Sequence, residues 1–124
     1  MDLVLTEVAI YNLYDLHSGA FVRAAVVSDA VVDERNAFMA LPRDLIEQLG
    51  LGVRSTSWAG LLTDAIRVEI MGREATCEAR VVAEGEPVRV GFGVLTWMDW
   101  VIDVKGKKLI GNPAHGGEHI LELL

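Results

Sequence analysis

The chain of 124 residues has little cysteine, little proline and few aromatic side chains. Its one cysteine, Cys77, cannot form an internal disulfide, which fits a reducing compartment, so we expect a cytoplasmic protein. No apolar run approaches the roughly 18 residues that a membrane-spanning helix needs, so no membrane partner is expected. Met1-Asp2-Leu3 has no basic flank before an apolar stretch, and no signal peptide is predicted there.

Basic residues are also scarce. There are 11 lysines and arginines against 18 aspartates and glutamates, which gives a formal net charge of −7. Binding to nucleic acid needs a positive surface that meets the phosphates, so nucleic acid is not expected as a main partner. Hydrophobic residues make up 52% of the chain, too many for a disordered protein and enough for the core of one compact domain. Composition alone indicates no activity.

The beginning of the chain is typical of a β-hairpin. Residues 4–11 mix apolar and β-branched side chains and predict a strand, and residues 12–19 carry turn formers and predict a loop. Residues 21–27 predict the returning strand, whose apolar run suggests burial on both faces. Ser28-Asp29 then predicts a bend or bulge before the short apolar run Ala30-Val31-Val32.

The clearest helix signal covers residues 41–51. Pro42 suits the first helical position, Leu45, Ile46 and Leu49 form one apolar stripe, and Gly50 suits the left-handed position at the end. The stripe predicts that one side of this helix packs on a sheet.

Short strands dominate the rest of the chain. Residues 66–70 and 75–81 alternate apolar and polar side chains, which predicts a hairpin with one wet face that places Cys77 on the core side. Residues 93–100 predict a second short helix, and residues 101–110 predict a further hairpin. Together these patterns predict a mainly β domain of about seven short strands with two small helices, arranged as a barrel or sandwich.

Three groups of residues follow one another in an informative order. Ala30-Val31-Val32-Asp33 is followed by Leu41-Pro42 and by Leu49-Gly50-Leu51, and residues 87–91 form a later apolar segment that ends in glycine. This order resembles the small prokaryotic branch of the retropepsin-like aspartic proteases, whose pattern begins Ala-Leu-Val-Asp-Thr-Gly-Ala. The resemblance covers about residues 4–113.

The resemblance implies both a fold and an assembly. It implies a retropepsin-like closed barrel with two short helices over residues 1–113, followed by a C-terminal tail over residues 114–124. An aspartic protease needs two carboxylates that share one proton, and a single-domain chain supplies only one of them. A homodimer is therefore implied, in which Asp33 of each subunit would form the catalytic pair.

The departure from the family pattern matters more than the match. The family triplet Asp-Thr/Ser-Gly reads Asp33-Glu34-Arg35 in this chain. Glu34 cannot donate a hydrogen bond as a hydroxyl does, and Arg35 adds a long side chain where the family has none. A nearby arginine also lowers the pKa of an aspartate, which opposes proton sharing. We therefore expect a dismantled catalytic pair, with Asp33 as an ordinary carboxylate paired with Arg35.

The sequence thus predicts a retropepsin-fold homodimer, a pseudoenzyme that has lost proteolysis and serves as a binding or structural module for a peptide or protein. The alternative is an active aspartic endopeptidase, a hydrolase with Asp33 as its catalytic residue. A third hypothesis is an unrelated small β-barrel. A structure in which the loops of Asp33 and Gly91 do not interlock would favour that third hypothesis.

Two further features complete the sequence-based expectations. Residues 52–64 predict a short hairpin in place of the family's flap, with Gly60 at its turn. Trp58, Leu61 and Leu62 are expected to be exposed there, where a partner would cover them. His115 and His119 have a spacing that suits a metal on a helix, but the glycines between them oppose a helix there. We therefore predict no metal site, and no cofactor is expected.

Overall fold

A computed structural model describes residues 3–19 and 21–118. These residues form eleven β-strands, three short α-helices and one 3-10 turn, so the predicted mainly β fold is confirmed, with more strands than the seven expected and one more helix. The strands are Leu5–Asn12 (β1), Ala24–Asp33 (β2), Met39–Pro42 (β3), Val53–Thr56 (β4), Gly60–Thr63 (β5), Ile66–Ile70 (β6), Arg73–Cys77 (β7), Ala79–Val82 (β8), Arg89–Gly91 (β9), Trp100–Asp103 (β10) and Lys108–Gly111 (β11). The helices are Leu13–Ser18 (α1), Arg43–Gln48 (α2) and Phe92–Trp97 (α3), and the 3-10 turn is Pro113–His115.

Nine of these strands form a single sheet in the order β4-β5-β8-β3-β9-β2-β1-β6-β7. Strands β10 and β11 pair separately as the predicted hairpin. A closed barrel requires that the first and last strands of the sheet hydrogen-bond to each other. Within the described ranges β4 and β7 are both edges, so the sheet is not closed and the expectation of a closed barrel was wrong.

The centre of the sheet contains a long-range crossing. Strands β2 and β3 follow each other in sequence, but β9 lies between them, parallel to β2 and antiparallel to β3. Gly91 is essential to this close approach, since a Cβ there would lie 2.2 Å from the carbonyl oxygen of Phe38. Phe92 and Gly93 then donate backbone N–H groups to Asn36 and Ala37, which attaches the start of α3 to the chain before β3.

The predicted loop over residues 12–19 is instead the helix α1. Asn12 caps it by accepting a hydrogen bond from the backbone N–H of Asp15, and Gly19 ends it with φ 71° in the left-handed region. The turn formers in this segment therefore act as helix caps. Local composition alone does not distinguish these two uses of the same residues.

Strand β2 joins the two apolar runs that the sequence separates. Between Thr6 and Val8 the β1 register advances by two residues while that of β2 advances by three, so the predicted bulge lies at Ser28-Asp29. Burial on both faces was wrong for the first half of β2, because exposure alternates there and Val26 is 67% exposed. Only the second half of β2, which borders β9, lies deep in the sheet.

The two later helices cover the core. Leu45 and Ile46 of α2 and Val94 and Leu95 of α3 are buried, and each such side chain contributes roughly 1.5–3 kcal/mol through its removal from water. Helix α2 confirms the prediction for residues 41–51, although Pro42 caps the helix in an extended conformation rather than opening it. Among the described residues, none of the helices is long and apolar enough to cross a membrane.

Candidate functional site

Asp33 lies at the end of β2, where the strand passes beside β9. Its register partner on β9 is Gly91, and the backbone of Ala37 and Phe38 occupies the place where a side chain at Gly91 would lie. Asp33 is only 9% exposed, one of the four buried polar residues in the described part of the chain. A buried carboxylate is costly without hydrogen-bond partners, so those partners determine what Asp33 can do.

Both carboxylate oxygens of Asp33 accept hydrogen bonds from its own loop. The backbone N–H of Arg35 donates to Oδ1 at 3.1 Å, and the side-chain amide of Asn36 donates to Oδ2 at 2.7 Å. The amide of Asn36 is the main cause that holds the pKa of Asp33 below its ordinary value, helped by the backbone N–H of Arg35 and by the charge of Arg89. Burial acts in the opposite direction but is outweighed.

The arginine within ion-pair distance of Asp33 is not the one expected. Arg35 contributes its backbone N–H and a more distant charge, whereas the guanidinium of Arg89 on β9 lies 4.0 Å from Oδ2. The predicted side-chain pair between Asp33 and Arg35 was therefore wrong. The reason is topological, because β9 brings a residue distant in sequence to the end of β2.

A cleft of about 360 Å³ opens beside Asp33. Its walls carry three arginines, one carboxylate, one amide and several apolar side chains: Asp33, Arg35, Asn36, Phe38, Ala40, Arg80, Val81, Val82 and Arg89. Positive groups outnumber negative ones here, although the whole chain is acidic. The cleft thus offers strong hydrogen-bond donors beside an apolar wall.

The predicted short hairpin lies close to the same cleft. Strands β4 and β5 pair antiparallel, and Gly60 has φ 70° at the turn, as expected. Trp58 at the tip is 70% exposed, and its ring contacts Phe38 with centroids 5.8 Å apart. The expected exposure of Leu62 was wrong, because that side chain is fully buried. Since Phe38 also lines the cleft, the tip of the hairpin reaches the cleft wall.

Cys77 is not an activated nucleophile. It packs against the core, as predicted, and borders a groove of about 270 Å³ that Phe38 and Trp97 also line. Burial raises the pKa of its thiol to about 12, helped by the charge of Glu78. A thiol that stays protonated at neutral pH is a poor nucleophile.

The C-terminal histidines do not form a described metal site. His115 lies in the 3-10 turn, where its Nδ1 is 2.7 Å from Oδ2 of Asp99. That hydrogen bond is the main cause that lowers the pKa of Asp99. His119 lies outside the described residues, and no group of three potential metal ligands occurs within residues 3–19 and 21–118.

Sequence reasoning missed three residues of this site: Asn36, Arg80 and Arg89. The alternation over residues 75–81 places Arg80 on a wet face, which was a usable signal. The alternation does not show that Ala40 of β3 is the register partner of both Arg80 and Arg89. That information depends on the position of β9, which no local pattern contains.

Comparisons with protein families and with curated proteins add no relative. No protein-family model matches the chain. No curated protein is significantly similar to it. The relation to retropepsin-like proteins therefore depends on the motifs and on the topology described above, and it stays a prediction.

Proposed function

We propose that this chain is a catalytically inactive, retropepsin-like protein that acts as a homodimeric binding module. The observation that carries the proposal is the state of Asp33. Both of its oxygens are bound by donors of its own loop, and the guanidinium of Arg89 stands 4.0 Å away.

The topology around Asp33 supports the family relation. Strand β9 lies between β2 and β3, and Gly91 lies beside Asp33. An interlocked pair of loops of this kind is what the resemblance implies for the segments of Asp33 and Gly91.

The hydrogen bonds around Asp33 support the loss of proteolysis. Two carboxylates that share a proton need one of them to be protonated at the working pH. The donors around Asp33 stabilise its charged form and lower its pKa, so protonation is disfavoured. Glu34 and Arg35 are both exposed beside it, where they would crowd a two-fold axis.

The dimer follows from the family resemblance and from exposed apolar side chains. Trp58 and Leu61 belong to the hairpin tip and are 70% and 37% exposed. A monomer that leaves such residues in water carries an aggregation liability, and a second copy would cover them. The molecular mass in solution, measured by light scattering after size exclusion, tests this part.

The activity is tested with denatured casein from acidic to neutral pH. We expect no cleavage by the natural protein and none by an Asp33→Asn variant, which serves as the control for contaminating proteases. Cleavage by the natural protein that disappears in the variant would overturn the proposal in favour of an active aspartic endopeptidase.

A restored variant sharpens the same test. Glu34→Thr, Arg35→Gly and Asn36→Ala together recreate the family pattern after Asp33 and remove the amide that holds Oδ2. We expect the pKa of Asp33 to rise in this variant, since the largest cause of its depression is gone. The pKa is measured from the carboxyl carbon resonance during an NMR titration.

A further inference from the structure

We propose that the cleft beside Asp33 binds a compact oxyanion, a carboxylate or a phosphate group, between the guanidinium groups of Arg80 and Arg89. This inference rests on the proposed function and names the ligand chemistry of the same site. The groups that would recognise the ligand are two cations, whereas the retropepsin-like family is expected to act through two acids that share a proton.

The strand register places the two arginines as a pair. Ala40 of β3 is the register partner of Arg80 on β8 and also of Arg89 on β9. Register partners on neighbouring strands point to the same face of a sheet, and two strand spacings separate the outer residues by about 10 Å. The small side chain of Ala40 leaves open the space between the two guanidinium groups.

The charge of Arg80 is uncompensated, unlike that of most arginines in this protein. Arg23, Arg54 and Arg67 each contact a carboxylate. Arg73 donates to three backbone carbonyl oxygens. The guanidinium of Arg80, in contrast, has no hydrogen-bond or ion-pair partner among residues 3–19 and 21–118. Arg80 is exposed, so its donors meet solvent rather than a carboxylate and are available to an anion that enters the cleft.

Asp33 offsets only part of the positive charge of the cleft, which is lined by three arginines and one aspartate. Its oxygens already accept hydrogen bonds from Arg35 and Asn36, and the 4.0 Å separation from Arg89 is too long for a hydrogen bond. The donors of Arg89 are therefore available to an incoming oxygen. The planar fork of a guanidinium matches two oxygens of a carboxylate or phosphate, and such charged hydrogen bonds are among the strongest in proteins.

The apolar wall of the cleft indicates what the anion is attached to. Phe38, Val81 and Val82 line the same 360 Å³. A ligand with a short apolar body next to its anionic group would bury that body there, whereas a free inorganic ion would use only the arginines. Both sources share the same anionic chemistry, and the experiment separates them.

The test is calorimetric titration of the full chain at low salt with three probes. N-acetylleucine carries a carboxylate and an apolar body, N-acetylleucinamide lacks the charge, and inorganic phosphate lacks the apolar body. We expect binding of N-acetylleucine or of phosphate and none of N-acetylleucinamide. Tighter binding of N-acetylleucine identifies an apolar carboxylate, and tighter binding of phosphate identifies a phosphate group.

Arg80→Gln and Arg89→Gln are each expected to lower the affinity for the anion about tenfold or more, because each substitution removes charged hydrogen bonds. Arg43→Gln is the matched control. Arg43 is exposed on α2 and does not line the cleft, and its substitution changes the net charge by the same amount. Binding of neither anion, binding of the amide as tightly as the acid, or an equal loss in all three variants overturns the inference. These outcomes leave the proposed function untouched, which fails instead through Asp33-dependent cleavage of casein.

Discussion

Two buried aspartates in this protein are held in different ways. The carboxylate of Asp15 on α1 accepts hydrogen bonds from the backbone N–H of Arg23 at 2.9 Å, from its Nε at 2.8 Å and from its Nη2 at 3.0 Å. Asp33 accepts from a backbone N–H and from the neutral amide of Asn36, and its arginine stays 4.0 Å away. The ion pair of Asp15 is therefore closed, in the sense that direct hydrogen bonds join the two side chains. The ion pair of Asp33 is open, because no hydrogen bond joins it to Arg89.

The difference separates a structural carboxylate from a site carboxylate. The Arg23 contacts lower the pKa of Asp15 to about 2. They engage both carboxylate oxygens of Asp15 and the guanidinium of Arg23. At Asp33 the charge is stabilised mainly by Asn36, so the cation of Arg89 is left facing a cleft. Asp33 thus marks a candidate site, because a neutral amide stabilises its charge and the nearby guanidinium of Arg89 keeps its hydrogen-bond donors for a ligand.

The largest expected effect comes from a substitution of Gly91, which lies beside Asp33 on β9. A Gly91→Ala substitution places a Cβ within 2.2 Å of the backbone oxygen of Phe38, and backbone atoms there cannot move without separating β9 from β3. We expect a loss of about 3 kcal/mol or more in the free energy of unfolding, measured by urea denaturation. Gly85→Ala is the control, because it has φ 90° but no atom within 4 Å of the added Cβ, and it should cost only about 1–2 kcal/mol. Equal effects of the two substitutions would contradict this account.

The next effect concerns the closed pair and depends on pH. A carboxyl whose pKa falls from 3.8 unfolded to about 2 folded stabilises the protein above pH 4, and this contribution is lost as the pH falls from 4 through 2. An Asp15→Asn variant should therefore melt clearly below the natural protein at pH 7, and the difference should shrink toward pH 2. Asp29→Asn, at an exposed position of β2, should change the melting temperature little at either pH. A pH-independent difference for Asp15→Asn would show that its charge is not what matters.

A smaller effect tests the neutral donor at Asp33. Asn36→Ala removes the 2.7 Å hydrogen bond to Oδ2 and leaves a buried oxygen without it, at an expected cost of about 1–3 kcal/mol in unfolding free energy. The pKa of Asp33 should rise at the same time, as followed by NMR titration. Glu34→Ala, at the exposed neighbouring position, should change neither quantity. An unchanged pKa in the Asn36 variant would mean that Arg89 rather than Asn36 holds the charge.

The smallest effect sharpens the contrast between the two arginines. Arg89→Gln removes an ion pair with a separation of 4.0 Å and a side chain 38% exposed, and such a pair contributes less than about 1 kcal/mol. Arg23→Gln removes two direct hydrogen bonds to Asp15 and should destabilise the protein more. Both are compared by thermal denaturation at pH 7. A larger effect at Arg89 than at Arg23 would reverse the distinction between open and closed pairs.

Local patterns in the sequence predict most of the elements but not their arrangement. The alternation over residues 66–70 and the stripe of α2 are confirmed because each depends on neighbours a few residues away. Helix α1 was missed because Asn12 and Gly19 suit a turn as well as a helix cap. The motif that contains Asp33 draws attention to a residue that lines the cleft, but its neighbour Arg89 could be found only from the position of β9 between β2 and β3.

The insertion of β9 also bears on how the chain can be made. Strands β2 and β3 each leave one edge unpaired until Arg89–Gly91 is available, so the first two-thirds of the polypeptide emerges from the ribosome without its central strand. When distant segments pair, the chain loses loop-closure entropy before the contacts form, which slows folding. Unpaired strand edges stay exposed during that time and favour aggregation. A nascent chain that stops before β9 has the strands of β4-β5-β8-β3 and β2-β1-β6-β7, but the facing edges of β3 and β2 stay open, and such edges favour aggregation or binding by a chaperone.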